Sequence, residues 1–475
     1  MVRGAVVRGA PEELDAEEYE QLVARVAAID VAKAAGVVCT RVPHDTVAGR
    51  RVTKVWEVAA TTNAIVELSD HLVCQGIERV VVESTSDYWR PFLYLLEARG
   101  IDTWLVNARD VKQVPGRPKT DKLDAVWLAK LAEKGMLRPS FVPPKEIREL
   151  RDYTRLRVDL TAERARHWQR LEKLLEDALI KLTAVASRID TLSVRDMIEA
   201  LIAGERDPRR LAGMARAQMR VKHADLVEAL TGQFDDHHAE LARLLLDQID
   251  GLNRQIETLS DRIDALLADL PIPPGPNGSP GAAAHHHGPS SEVPDAGASP
   301  EASRPIPPPI GTARDLADLL DEIPGIGRHV AEVVIAEIGL DMSQFPTAGH
   351  LVSWAKLCPK TIQSGTRSTA GKTGKGNRYL KAVLGDAAAG AGKTKTFLGE
   401  RHRRILKRRG KLKAVVATAR STLVIIWNLL GSPGTRYTDL GEDYFVNRMD
   451  KGRRVRNHVR QLEALGFEVT LAVAA

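Results

Sequence analysis

Three cysteines, Cys39, Cys74 and Cys358, are scattered through 475 residues with no C-x-x-C pair among them. That excludes a disulfide framework and a thiolate zinc site, and the three read as buried reduced thiols. Aromatics are scarce at 4%, yet 44% hydrophobic residues suffice for globular cores, and the length allows two or three domains. No apolar leader opens the chain, and no apolar run approaches the ~20 residues that span a bilayer. The expectation is a soluble, cytosolic protein with no membrane partner. A phosphate-binding P-loop is missing too. In "QSGTRSTAGKTGKGN" (363–377), Gly365 and Gly371 enclose five residues instead of four, and "GAGKTKT" (390–396) has Ala387 where the first glycine belongs.

What is present is positive charge, unevenly spread. The net charge is only +6, but 351–420 holds eighteen Lys/Arg against two acids, Asp386 and Glu400, and "RHRRILKRRGKLK" (401–413) has no acid. Solvated helix faces usually mix signs, so this stretch reads as a polyanion-binding footprint. Arg367, Lys372, Lys375, Arg378, Arg403 and Arg404 are the candidate nucleic-acid contacts.

Along the chain, residues 1–23 are a polar, acidic extension. Over 24–142, "RVAAID", "AGVVCTRV" and "RRVTKVWEV" read as three strands, followed by alternating helices and strands. The pattern predicts a mixed α/β sheet with helices on its faces. Residues 143–270 read as helical, with a heptad seam through Leu245, Ile249, Leu252, Ile256, Leu259, Ile263, Leu266 and Leu270. Such a seam predicts an antiparallel hairpin of long helices or an intermolecular coiled coil. Residues 271–311 carry twelve prolines and no Leu, Phe, Trp or Tyr, the composition of a disordered linker. The "HHH" at 285–287 inside it is read as composition drift. A helical domain follows over 312–432, opening with "IPGIG", either a helix-hairpin-helix that meets a phosphate or an ordinary glycine turn between packed helices. A tail, 433–475, completes the chain.

Asp30 closes the apolar run "VAAID", and Glu83 closes "RVVVE". An acid at the C-terminal end of a buried strand lies where open α/β sheets put their sites. Asp121 and Asp124, in "KTDKLDAVWLAKL", are three apart at a helix start and share a face. Each acid has a plain structural reading, since first-turn aspartates also suit the helix dipole. Together, four carboxylates with no His or Cys would make an oxygen-only site suited to Mg²⁺ or Mn²⁺ and to phosphoryl transfer on a phosphodiester.

"AIDVAK", "VVES", "KTDKLDA", "IPGIG" and "QSGTRSTAGKTGKGNRYLKAVL" occur in the order, and with roughly the spacing, of the DEDD transposases of the insertion-sequence-110 family, which the chain resembles over most of 25–430. The resemblance implies a RuvC-like N-terminal domain of RNase H type, whose metal-binding acids would be Asp30, Glu83, Asp121 and Asp124. It also implies a C-terminal transposase domain whose serine nucleophile, in the S-G motif, would be Ser364. Element ends and target DNA, a noncoding guide RNA from the element and a homo-oligomer (dimer or tetramer) are the partners it implies, at a bacterial nucleoid. Extension and linker are longer than the family's pattern. A RuvC-like nuclease that uses water, or a non-enzymatic basic coiled-coil protein, are the alternatives.

Overall fold

The computed structural model of the chain describes residues 23–107, 120–272, 311–359, 361–365, 367–432, 434–447 and 451–471. The extension, the triple histidine and nearly all of the proline-rich segment lie outside the described residues. The chain divides into two compact units, Met1–Val142 and Pro143–Ala475.

The first unit is built on a five-stranded sheet. β1 (Val26–Val31), β2 (Ala35–Pro43) and β3 (Arg51–Ala59) form an antiparallel meander, followed by α1 (Thr62–Cys74), β4 (Arg79–Glu83), α2 (Trp89–Ala98), β5 (Asp102–Val106) and α3 (Asp121–Glu133). The strand order is β3-β2-β1-β4-β5, with β4 parallel to both β1 and β5. This is the mixed α/β sheet with helices on its faces that the sequence predicts. The strands form because β-branched residues occupy both faces: Ile29, Val38, Val80 and Val82 pack under Ile65, Leu68, Leu72, Phe92, Leu93 and Leu96 of α1 and α2. Val26, Ala28, Cys39, Val81 and Val106 pack on the opposite face under Ala125, Leu128, Ala129 and Ala132 of α3. Of the three thiols only Cys39 is buried; Cys74 is exposed and Cys358 half-buried, and all are free. Cys74 ends a helix on its solvent side, which one-dimensional spacing does not reveal.

The second unit is almost wholly helical. α4 (Lys145–Asp177) is followed by the short α5 (Leu182–Val185), α6 (Leu192–Ile202), α7 (Pro208–Gly213) and α8 (His223–Ala229), and then by α9 (Asp236–Asp269). α4 and α9 run antiparallel: Arg157 reaches Ser260, Arg164 reaches Asn253, and Asp177 meets His238, so numbers rise on one helix as they fall on the other. The seam is broader than a heptad stripe. Ile249, Leu252, Ile263 and Leu270 are buried, but so are Ala242, Leu246 and Leu267, while Leu245, Ile256, Leu259 and Leu266 are only half-buried. The cause is that the N-terminal half of α9 also covers Met197, Ile198 and Leu201 of α6, which takes a wider apolar face than a single partner helix needs.

The remainder is α10 (Ala313–Asp321), α11 (Arg328–Ile338), α12 (Ala348–Trp354), the hairpin β6 (Thr361–Ser364) and β7 (Arg367–Ala370), α13 (Arg378–Ala391), α14 (Phe397–Arg409), α15 (Lys411–Gly431), α16 (Tyr444–Asn447) and α17 (Lys451–Ala464). By length and composition α15 is apolar enough to cross a membrane, which the sequence reading did not expect. Its Ala414, Thr418, Ala419, Thr422, Leu423, Ile426, Leu429 and Leu430 are buried in the helical core, the position that makes a helix apolar on most sides. Gly325 of the "IPGIG" turn has φ +88°, and a Cβ there would lie 2.1 Å from the Ala387 carbonyl oxygen of α13. The turn therefore packs against α13 of the same unit. "GAGKTKT" falls at the C-terminal end of α13, with no strand before it.

Candidate metal and nucleophile sites

Asp30 and Glu83 are neighbours across parallel strands. The β1–β4 register pairs Ile29 with Val82, and one further step brings Asp30 level with Glu83. Side chains alternate along a strand, and Ala28 and Val81, two residues back, both face α3. Asp30 and Glu83 thus share the α3 face at the C-terminal edge of the sheet, Asp30 half-buried and Glu83 buried.

The direction of α3 brings the other two acids to that edge. Its C-terminal end is fixed at the opposite edge: the Glu133 carbonyl accepts from Val23 N at 3.2 Å, and the Glu133 carboxylate accepts from Arg41 Nε at 2.6 Å and Arg51 Nε at 2.8 Å. Arg41 is the register partner of Val26 at the start of β1. From Glu133 back to Asp124 is about 13 Å of helix at 1.5 Å per residue. From Val26 on to Asp30 is about 13 Å of strand at ~3.3 Å per residue. Asp124, one turn before buried Leu128, is level with Asp30 on the sheet side, and exposed Asp121 lies one turn beyond it. The Thr120 hydroxyl caps the helix, accepting from Leu123 N at 3.3 Å. The result is an oxygen-only donor set ranged along one edge of the first unit, of the kind a hard divalent cation takes, although among the described residues no three of these carboxylates lie within 4.8 Å of one another.

Asp177, His237 and His238 in the second unit also bring ligand atoms within 4.8 Å of one another. His238 Nδ1 accepts from Asp235 N at 3.2 Å in a capping box, and its Nε2 faces Asp177 at 3.3 Å. Coordination through Nε2 would move the ring proton to Nδ1, against the backbone N–H. This cluster is a helix cap and not a metal centre.

Ser364 lies in the second unit, at the tip of the β6–β7 hairpin, where its register partner is Arg367 and Gly365 takes φ +58°. Residues 363–377 are thus half hairpin and half connector. The side chains of Ser364 and Arg367 lie outside the described set. Lys372 and Lys375 are exposed on the connector. Arg378, exposed at the start of α13, stacks on the Tyr379 ring at 4.5 Å and pairs with Asp159 at 3.5 Å. Arg403 pairs with Glu400 at 3.3 Å and donates to the Thr394 carbonyl at 2.8 Å, and Arg404 lies 4.8 Å over Phe445.

Sequence reasoning missed two features here. Arg401 Nε is buried without a partner, and burial, reinforced by the Arg420 charge, pushes this guanidinium below its usual range. The second is an acid pair inside α11. Glu332 and Glu337 are buried, and each is met by arginines of α4: Arg157 reaches Glu332 at 2.6 Å, while Arg155 reaches Glu337 at 2.7 and 2.9 Å. The available signal was two acids inside the apolar run "HVAEVVIAEI".

A family model for DEDD transposases of the IS110 type matches residues 27–180, and the model of the transposase IS116/IS110/IS902 family matches residues 317–398. A 43.6 kDa protein of insertion element IS110 from Streptomyces coelicolor is 40% identical over 73 residues, 15% of this chain. The match spans only 18% of that relative's length. Among solved structures, Thermus thermophilus RuvC is 15% identical, with a TM-score of 0.20 over 24% of this chain and 99% of RuvC. RuvC from the same organism in complex with a Holliday junction substrate is 14% identical, with a TM-score of 0.20 over 25% of this chain and 99% of that one.

Proposed function

Because the chain belongs to the IS110 transposase family, carrying both of its characteristic regions in order, we propose that it excises and inserts its own element by cleaving and rejoining DNA through a serine-linked intermediate. The observation that supports this most is the placement of Asp30, Glu83 and Asp124 toward one sheet edge, with Asp121 one turn beyond.

In this reading those four carboxylates hold Mg²⁺ or Mn²⁺. When bound, the metal supplies positive charge to the phosphodiester oxygens during transfer. Ser364 Oγ bonds to phosphorus as the bond to the leaving DNA oxygen breaks, and the serine proton ends on that oxygen. The phosphoserine ester conserves the bond, so a DNA hydroxyl can reverse the step and rejoin strands without ATP. The absence of a P-loop from "QSGTRSTAGKTGKGN" and "GAGKTKT" agrees with this economy. Lys372, Lys375, Arg378, Arg403 and Arg404, with Arg367, hold the nucleic-acid backbone. The guide RNA and an assembly of two or four copies enter the proposal through the family alone.

The test is a recombination assay on a plasmid bearing the element ends, with wild type and Ser364→Ala side by side. Ser364→Ala should lose strand exchange and the covalent protein–DNA adduct while retaining nucleic-acid binding. Recombination by Ser364→Ala would overturn the serine-linked intermediate, and cleavage without an adduct would return the chain to a nuclease that uses water.

A further inference from the structure

We propose that Asn377 and Glu337 are positioning residues for the Ser364 step: a half-buried clasp that fixes the base of the serine-bearing hairpin. The proposal rests on the reading of Ser364 as nucleophile, and on contacts confined to the second unit.

The hairpin has two legs, and each is held near its base. The incoming leg leaves α12 through Ala355 and Lys356, and Lys356 takes φ +55°, a left-handed conformation rare for a residue with a side chain. The outgoing leg returns through Gly374 and Gly376 to Asn377, the N-cap of α13. The two legs touch. A Cβ on Gly376, itself at φ +63°, would lie 2.6 Å from the Ala355 carbonyl oxygen, and one on Gly374 would lie 3.1 Å from Lys356 Cγ. Lys381 Nζ donates to the Gly374 carbonyl at 2.9 Å, tying the outgoing leg to α13 as well.

Asn377 joins this base to the core. Its Oδ1 accepts from Tyr379 N at 3.0 Å and Leu380 N at 3.1 Å, which caps α13. Its Nδ2 donates to Glu337 Oε2. Glu337 is fully buried and is itself fixed by the two Arg155 bonds, while Arg151 donates to the Ala336 carbonyl at 2.9 Å and the Glu337 carbonyl at 2.8 Å. The amide's two ends thus do separate jobs. The oxygen caps a helix, which many residues could do; the nitrogen is the only part that needs Glu337. A cap alone calls for Ser, Thr, Asp or Asn. The need for a donor to a buried carboxylate excludes Asp and suits Asn, whose amide accepts at one end and donates at the other.

That division makes the test. Asn377→Asp keeps an N-cap acceptor but replaces the donor with a second carboxylate facing Glu337, so the clasp opens while α13 stays capped. A nucleophile displaced by about 1 Å can cost on the order of 100-fold in rate. In the full-length protein on an element-end duplex, Asn377→Asp should slow covalent adduct formation at saturating DNA by at least about tenfold. DNA affinity should be unchanged, and amide hydrogen exchange over 361–376 should rise. The double variant Asn377→Asp with Glu337→Gln, in which the amide and carboxylate trade places, should recover part of both losses. Wild-type adduct rate in Asn377→Asp, or unchanged exchange over 361–376, would overturn the proposal. An active Ser364→Ala would instead defeat the nucleophile assignment, and the exchange measurement would still decide whether the clasp holds the hairpin.

Discussion

At the scale of single residues, burial separates groups that the sequence presents alike. Burial pushes the Cys39 thiol to about 11, with Arg41 and Lys130 pulling weakly the other way, while Cys74 is exposed. With iodoacetamide at pH 8, Cys74 should label in the native protein and Cys39 only after unfolding, as mass spectrometry of the peptides would read. Among the acids, Asp30, Glu83 and Asp124 face inward and Asp121 is exposed. On the proposed function, Asp30→Asn, Glu83→Gln and Asp124→Asn should each lower metal-dependent cleavage by more than about 100-fold, the upper range for losing a mere supporting group of a metal site. Asp121→Asn should cost less, and Mn²⁺ titrations of the variants check the order. A non-enzymatic protein would show no metal dependence in any of them.

At the scale of elements, the acid cluster depends on an anchor at the far end of α3. Glu133→Ala leaves Arg41 and Arg51 largely buried without their shared carboxylate, a loss of about 1–3 kcal/mol. Thermal melting should show that loss, and cleavage should weaken although none of the four site acids has been touched. In the helical unit, burial alone would raise the Glu332 carboxyl, but hydrogen bonds from His329, Arg157 and Arg328 outweigh it and hold it below its ordinary 4.5. A carboxyl depressed by folding stabilises fully above the unfolded value and loses that contribution as pH falls through the folded one. Melting temperature should therefore fall below about pH 4.5, and Glu332→Gln should flatten that fall while lowering the melting temperature at pH 7. How much of this the sequence showed depended on range. β1 to β5 and α3 were legible because β-branched runs and a capped, periodic helix are local signals. The β6–β7 hairpin was not, since "QSGTRSTA" has almost no apolar alternation and shows only the Gly365 turn. Asp30, Glu83 and Asp124 were legible as acids at element ends. The Glu337 clasp was hidden because its partners Arg155 and Asn377 are 182 and 40 residues away.

At the scale of the whole molecule, each unit carries its own core: two aliphatic layers around the sheet in the first, and helices closed on Leu171, Leu175, Met197 and Leu246 in the second. The composition pointed to a linker at 271–311 separating two domains. The described residues at its ends are paired. Pro271 pairs with Thr312 in an antiparallel bridge, and Ala313 N donates to the Leu270 carbonyl at 3.0 Å. α9 therefore passes to α10 through a closed junction, and whatever path 273–310 takes, it leaves and returns at one point. Replacing 273–310 by a short Asn-Gly turn should not lower the melting temperature of the helical unit. Cutting a closed loop from about 40 residues to about 4 relieves about 2 kcal/mol of closure entropy, so a modest rise is the expected reading. The same junction is a graft point. A reporter domain inserted there would ride on the molecule without re-aiming α9 or α10, because the bonds that set their angle are complete before the excursion begins.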